Sequence, residues 1–399
     1  MFSFVLLIPH FTKIFPKEVW GHILSIQALS LWLQIIVEYG FNISATRSMA
    51  RVKEDDSKLS SLVSGVVGAK FFLSICVAVI GLFAILLINN FHNYANLVVW
   101  GIAFAISQGY NPVWYFLARG RFGQYSSIDF FSRLMYLILC LVFINKEDEG
   151  YLIFAIGVVT ASLGNIIGYI IINRQVKLRI PSMKDSIESL KDGFSMFFFV
   201  GVTSVYTTLN LVILGISQTA SIVGAYGISD RVVRAAGSLL DPINRVIFAK
   251  LSHLYHNDFY EGIKFLKKAA LIIILAGCFI FIGGEVFSSY IIRTISPTYP
   301  EALQYLRLLF IFIPVLALNN VIGIHIMIPL GLDREFNIIF LLVSVISVGA
   351  MVILTPSSGA TGMGIITIGT EVAACIGMGW MTFKSGKLKE GYKMVKNNV

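Results

Sequence analysis

Long apolar runs separated by short gaps, with basic charge gathered in every second gap, constrain this chain more than any other feature. The odd gaps, 13–18, 89–96, 145–150, 217–221, 292–301 and 355–360, carry only Lys13, Lys17, Lys146 and Arg293. The even gaps and the tail, 42–60, 118–124, 173–192, 250–268, 331–335 and 384–399, carry four, two, five, four, one and five basic residues. Lysine and arginine accumulate in the cytoplasmic loops of membrane proteins. The pattern therefore predicts an all-α polytopic membrane protein with about 12 transmembrane helices and a cytoplasmic C-terminus. The expected spans are 1–15, 19–41, 61–88, 95–118, 125–145, 150–173, 193–216, 221–249, 269–292, 302–330, 335–354 and 360–383. They are helices because lipid offers the backbone no hydrogen-bond partner, and the strands of a closed barrel would alternate with period two.

Composition agrees. Charged residues are 13% of the chain and mean hydropathy is +0.80, against about 25% charged residues in a soluble domain. The spans leave no room for a soluble domain. A net charge of +9 would suggest nucleic acid in a soluble protein, but here the inner gaps account for it and no nucleic-acid partner is expected. Cys76, Cys140, Cys278 and Cys375 all fall in apolar runs without metal or disulfide spacing. No P-loop, HExxH or GxSxG is present, and the outer gaps are too short to hold a catalytic constellation, so neither an enzyme nor a cofactor or metal is expected. No basic n-region precedes Met1–Ile14 and no small-residue cleavage site follows it, so no cleaved signal peptide is expected. Met1–Pro9 is too short to cross the bilayer; the expectation is a truncated helix 1 or a start further upstream.

The longest inner gap divides the chain. An N-terminal lobe is expected over 1–173, a cytoplasmic linker over 174–192, a C-terminal lobe over 193–383 and a basic cytoplasmic tail over 384–399. A shift of 203 puts Gly21 on Gly224, Glu38 on Asp241 and Arg47 on Lys250 without a gap. Two pseudo-symmetric six-helix lobes follow, a plan known among transporters.

Charges within the spans are candidates for function. Span 8 holds Asp230, Arg231, Arg234, Asp241 and Arg245. Wound as one continuous helix, all five fall on a stripe about 100° wide. A central charge costs at least about 2.5–3.5 kcal/mol on insertion scales, so a single stripe suggests a helix lining a wet, net-positive cavity. Internal pairing of Asp241 with Arg234 and Arg245 is the alternative. In span 2, Gln27, Gln34, Glu38 and Asn42 share a stripe, either facing the same cavity or bonding a neighbouring helix. Lys70 either reaches the inner interface or lines the cavity. Glu371 lies mid-span 12 beside Thr367 and Thr370. A deep carboxylate is a candidate for coupling to protons or sodium, or is bonded to another helix; Glu38 and Asp241 are candidates of the same kind. Asp129 and Arg133 have the spacing of a local ion pair, and Arg307 is expected to snorkel outward. Pro112, Pro242, Pro314 and Pro329 predict kinks.

Ordered motifs carry a resemblance. Val37-Glu38-Tyr39-Gly40-Phe41-Asn42-Ile43-Ser44-Ala45-Thr46-Arg47 resembles the end of helix 2 in the Wzx-type O-antigen flippases. These form part of the polysaccharide-biosynthesis branch of the multidrug/oligosaccharidyl-lipid/polysaccharide flippase superfamily. Phe15–Gly21 resembles the family's helix 1–2 turn, and Asn111-Pro112-Val113-Trp114-Tyr115-Phe116 its helix 4. Asp241-Pro242-Ile243 with Ala249-Lys250-Leu251-Ser252 resembles the end of helix 8, Ser296-Pro297-Thr298-Tyr299 the turn before helix 10, and Thr370-Glu371 helix 12. The family's Phe-Gln-Gly-x-Glu at the end of helix 4 is here Phe116-Leu117-Ala118-Arg119-Gly120-Arg121, which lacks the carboxylate.

The resemblance implies a MATE-like fold in the bacterial inner membrane. It implies translocation of an undecaprenyl-pyrophosphate-linked oligosaccharide to the periplasmic leaflet by alternating access, driven by H+ or Na+. Polymerase and chain-length regulator of the same pathway are the implied partners. Arginine stays charged and can bind phosphate bidentately. Arg231, Arg234 and Arg245, with Lys70, Gln27 and Gln34, are thus the expected substrate-binding residues, and Glu38, Asp241 and Glu371 the ion-coupling ones. Competing readings are a MATE-like drug or cation antiporter, a membrane-embedded O-antigen polymerase or ligase, and a structural subunit of the polymer assembly complex.

Overall fold

The computed structural model describes residues 2–52 and 56–387, and the structure is all-α over them. Lys53 of the first inner gap, and most of the expected basic tail, lie outside the described residues. In chain order the helices are α1 (Phe2–Ile14), α2 (Lys17–Glu38), α3 (Phe41–Arg51), α4 (Asp56–Leu87), α5 (Asn89–Asn93), α6 (Ala95–Gly109), α7 (Val113–Ala118), α8 (Phe122–Phe143) and α9 (Leu152–Gln175). They continue as α10 (Met183–Thr208), α11 (Asn210–Ser217), α12 (Ala220–Gly237), α13 (Asp241–Asn257), α14 (Phe259–Ile295), α15 (Ala302–Phe310), α16 (Phe312–Asn319) and α17 (Asp333–Ser385). Single-turn 3₁₀ pieces occupy Glu147–Tyr151 and Ser238–Leu240, and Asn320–Met327 is π-helical.

Among the described residues, 7 helical stretches are long and apolar enough to cross a membrane. The last of them, α17, is 53 residues long. A straight helix of that length would reach about 80 Å, against about 30 Å of hydrocarbon. It is two helices that meet at Gly359, whose φ of 62° and ψ of −155° no helix contains. Only glycine takes that conformation at no steric cost.

Several expected spans are interrupted, and each interruption has a cause. Span 2 ends where Tyr39 and Gly40 both take left-handed backbone, φ 47° and 69°. Tyr39 is held there by its ring, which stacks on Phe197 with centroids 4.4 Å apart. Span 4 breaks between α6 and α7 because Pro112 biases Asn111 away from helix. Span 8 breaks at Ser238–Leu240, and α13 restarts with Pro242 in its first turn, where a missing N–H costs nothing. The uninterrupted helix behind the five-charge stripe is therefore corrected: Asp230, Arg231 and Arg234 belong to α12, while Asp241 and Arg245 belong to α13.

The helices group into two compact units, Met1–Pro9 with Ile222–Val399, and His10–Ser221. Residues 193–216, which the sequence places in the second lobe, fall within α10 and α11; α10 packs on α2, α3 and α4, and α11 on α2. Within the His10–Ser221 unit a core of Phe41, Val63, Trp114, Tyr115, Phe116 and Ile172 joins α3, α4, α7 and α9. In the other unit Met327, Leu332, Ala374 and Met378 form a smaller core. The succession of elements recurs along the chain: α12 begins 203 residues after α2 (220 against 17), and α14 begins 203 after α4 (259 against 56).

Surface chemistry agrees with a lipid environment. On α14 the exposed residues Leu271, Leu275, Phe279, Ile282, Val286 and Tyr290 recur at helical spacing. Its buried face carries small residues, Gly262, Ala269, Gly277, Gly284 and Ser288, interleaved with Leu266, Ile273 and Ile292. Large apolar groups outward and small groups inward are what helix packing in lipid favours.

Candidate functional site

Each unit contains a carboxylate gripped by an asparagine, Asn111 at the break between α6 and α7 and Asn319 where α16 passes into π-helix. In the His10–Ser221 unit the residues come from α2, α4 and the α6–α7 break. Glu38, the last residue of α2, accepts from Gln34 Nε2 at 2.7 Å and from Asn111 Nδ2 at 2.9 Å. Asn111 also donates to the Gln108 carbonyl at 3.0 Å. Pro112 ends α6, so carbonyls before it lose their helical donors. Lys70 of α4 supplies the replacement: its Nζ donates to Gly109 O at 2.7 Å and Asn111 O at 3.0 Å. The side chain is 1% exposed. Lys70 thus neither reaches the interface nor stands open in a cavity; its ammonium closes the broken end of α6. Gln27, two turns before Gln34, is buried on α2.

In the unit that contains Ile222–Val399, α12 carries the charged residues. Arg234 Nε pairs with Asp230 Oδ2 at 2.7 Å, so its carboxylate partner is one turn back and not Asp241. The Arg231 guanidinium lies over the Phe4 ring at 4.1 Å, a cation–π distance. Asp241 and Arg245 are exposed on α13, and among the described residues no ion pair joins them to a partner. Glu371 is 4% exposed and accepts from Asn319 Nδ2 at 2.6 Å. The same amide nitrogen reaches the Glu371 carbonyl at 3.0 Å. Beside it, Thr370 shares a 2.7 Å hydrogen bond with Ser347. His325 sits in the π-helical stretch, fully buried, with Nε2 at 3.0 Å from Asn244 Oδ1.

Asn111, Asn319 and Asn244 are the participants that sequence reasoning missed. Asn111 was visible only as the residue before Pro112 in the helix 4 motif. Asn319-Asn320, two amides inside an apolar run that already holds Pro314, was a readable signal. Of the other charges, Asp129 and Arg133 form the expected local pair at 2.7 Å. Arg307 bonds Ser288 Oγ at 3.1 Å and lies 3.9 Å from Glu285, while its side chain stays exposed.

Chemically, a carboxylate has about four lone-pair sites. At Glu38 the two amide donors occupy part of that capacity and leave acceptor capacity that a proton or a small cation can take. The guanidinium groups of α12 and α13 suit an anion. Among the described residues no cluster of histidine, cysteine and carboxylate fits a metal ion.

The sequence profile of polysaccharide biosynthesis proteins matches residues 1–254. The chain belongs to that family. The Wzx-type resemblance read from Val37–Arg47 and the motifs after it is thereby borne out. Over 378 residues the family member is 24% identical to the "Putative O-antigen transporter" of Escherichia coli (strain K12), covering 92% of this chain and 89% of that protein. The Shigella dysenteriae protein of the same name is 22% identical over 380 residues, covering 93% of each. Among solved structures, the lipid II flippase MurJ in an inward closed conformation matches with a TM-score of 0.73 at 14% identity, covering 100% of this chain and 91% of that one. An inward-facing multidrug resistance MATE family transporter of the MOP superfamily matches with 0.67 at 15% identity, covering 97% and 99%. The fold is therefore the MATE/MurJ fold of a polytopic membrane protein. Each of these relatives is named as a transporter or a flippase, and none as an enzyme.

Proposed function

We propose that this family member translocates undecaprenyl-pyrophosphate-linked O-antigen or related polysaccharide repeat units from the cytoplasmic to the periplasmic leaflet of the bacterial inner membrane. The observation that carries this reading is the near full-length relationship to two proteins named as O-antigen transporters. The chemistry of α12 and α13 supports it, because Arg231, Arg234 and Arg245 offer cations to a pyrophosphate. Gln27 and Gln34 offer hydrogen bonds to sugar hydroxyls, and the polyprenyl tail stays in lipid. Lys70 acts from behind, by fixing the α6–α7 break against which Glu38 is held. About twelve crossings in two six-helix lobes rock about the substrate, with the C-terminus in the cytoplasm. A proton or sodium ion bound at Glu38, Asp241 or Glu371 drives the cycle. The pathway's polymerase and chain-length regulator receive the product.

The test is complementation of a deletion strain with wild type or with Arg231→Ala/Arg234→Ala. Surface polysaccharide is followed by gel ladder and the lipid-linked repeat unit by extraction. The reading expects the deletion to lose the ladder and accumulate single lipid-linked units, and the double variant to fail to rescue. A single repeat unit displayed at the surface of the deletion strain would mean intact translocation and a polymerase instead.

A second reading is export of small cations by antiport, favoured by the buried Glu371–Asn319 pair and the MATE-like fold. It predicts drug sensitivity in the deletion strain with an unchanged ladder.

A further inference from the structure

The segment between α9 and α10 is docked rather than loose. Ser60 Oγ of α4 donates to the Lys177 carbonyl, the Arg179 N–H donates to Ser64 Oγ at 3.0 Å, and the Leu178 N–H donates to Asn173 Oδ1 at 3.0 Å. A Cβ added at Gly68 would overlap Ser186 Oγ. The dock on α4 therefore runs from Ser60 to Gly68. Before it stands exposed Lys58, and after it stand exposed Phe71 and Phe72. On a membrane helix that interval, between an exposed cation and exposed phenylalanines, is the headgroup zone. Helix α9 gives the same level independently: Ile166, Ile167 and Ile170 are exposed and apolar, and one turn later Arg174 is exposed and basic.

What the segment presents at that level is specific. Residues 174–184 contain four basic side chains, Arg174, Lys177, Arg179 and Lys184, and no acidic one. All four are exposed. Among them Ile180 is 95% exposed, and Met183 is exposed too. A bare isoleucine ringed by cations has a natural counterpart in a lipid surface: the apolar side chains enter the acyl boundary while the cations meet phosphates.

We propose that residues 174–184 form a docked binding site for anionic phospholipid headgroups of the cytoplasmic leaflet. The site is distinct from the cations of α12 and α13. Held by Ser60 and Ser64, it ties the inner end of α4 to the leaflet from which the substrate is taken.

The test uses the full-length protein in nanodiscs of phosphatidylcholine with or without phosphatidylglycerol. An environment-sensitive bimane is placed at Ile180→Cys, with the four native cysteines replaced and a monodisperse elution profile required. The expected result is bimane emission that shifts to the blue when phosphatidylglycerol is present, and a shift that weakens at high salt. The shift should disappear in Arg174→Gln/Lys177→Gln/Arg179→Gln/Lys184→Gln, which alters only exposed side chains. A second measurement, phosphatidylglycerol retained through native mass spectrometry, should fall about fivefold per cation removed. Water-like emission in both lipids, equal blue emission in both, or unchanged retention in the quadruple variant would each overturn the proposal.

Discussion

Asn111 hands its side-chain amide to Glu38 across 2.9 Å, from the one place where α6 and α7 are forced apart. The proline that breaks the helix thus also frees the residue before it to hold a carboxylate on α2. Replacing Asn111 by Ala removes one donor from Glu38 and leaves the one from Gln34. Interhelical hydrogen bonds in membranes contribute about 0.6 kcal/mol on average and up to about 1.7. A modest fall in melting temperature, matching a loss of that order, is expected in detergent, together with loss of surface polymer. Glu38→Gln should melt near wild type and still lose transport, if the carboxylate carries the coupling ion.

Lys70 should be the most costly of the polar positions to truncate. Lys70→Met leaves the Gly109 and Asn111 carbonyls without their donor, and an unsatisfied buried acceptor costs about 1–3 kcal/mol. Reduced yield and a lowered melting temperature are expected. Lys70→Gln, which keeps an amide NH2 as donor, should recover part of the loss. A fully stable Lys70→Met protein would contradict the assignment.

Two close approaches separate a backbone clash from a side-chain clash. A Cβ at Gly21 would overlap the Ala220 carbonyl, and one at Gly215 would overlap Ser25 Oγ. Overpacking costs about 1–3 kcal/mol, so Gly21→Ala and Gly215→Ala should both destabilise. Ser25→Gly should rescue Gly215→Ala and leave Gly21→Ala unrescued. Fluorescence-detected chromatography after graded heating reads all four proteins.

Glu371→Gln tests ion coupling in the other unit. The amide keeps an oxygen for Asn319, so the 2.6 Å contact survives in kind, and the melting temperature should change little. If Glu371 binds the driving ion, the gel ladder should vanish while expression holds. An intact ladder would remove Glu371 from the coupling candidates.

Much of this was legible in the sequence because lipid imposes coarse rules. The alternating basic gaps and apolar runs led to an all-α polytopic chain, and the stretch Val37–Arg47 led to the family. Glu38 and Glu371 stood out because a carboxylate in an apolar run needs a reason to be there. Their partners did not stand out. Asn111 reads as a mere neighbour of the helix-breaking Pro112 until the break is seen to aim its amide at α2. The contacts of Lys70 are backbone carbonyls, which no side-chain pattern reveals. The single continuous helix assumed for span 8 carried 100° per residue through Ser238–Leu240, where the helix tightens into a 3₁₀ turn. Asp241-Pro242 was the warning, since proline belongs in the first turn of a new helix.

The most direct measurement of the central claim asks on which side the lipid-linked repeat unit waits. Spheroplasts of the deletion strain, with the polymerase also removed, are treated with a membrane-impermeant sugar-oxidising label, and the lipid-linked units are extracted and scored. The account predicts units shielded from the label, and labelled units once the wild-type gene is restored. Units labelled to the same extent without the gene would show that they cross unaided by this protein, and would contradict the account.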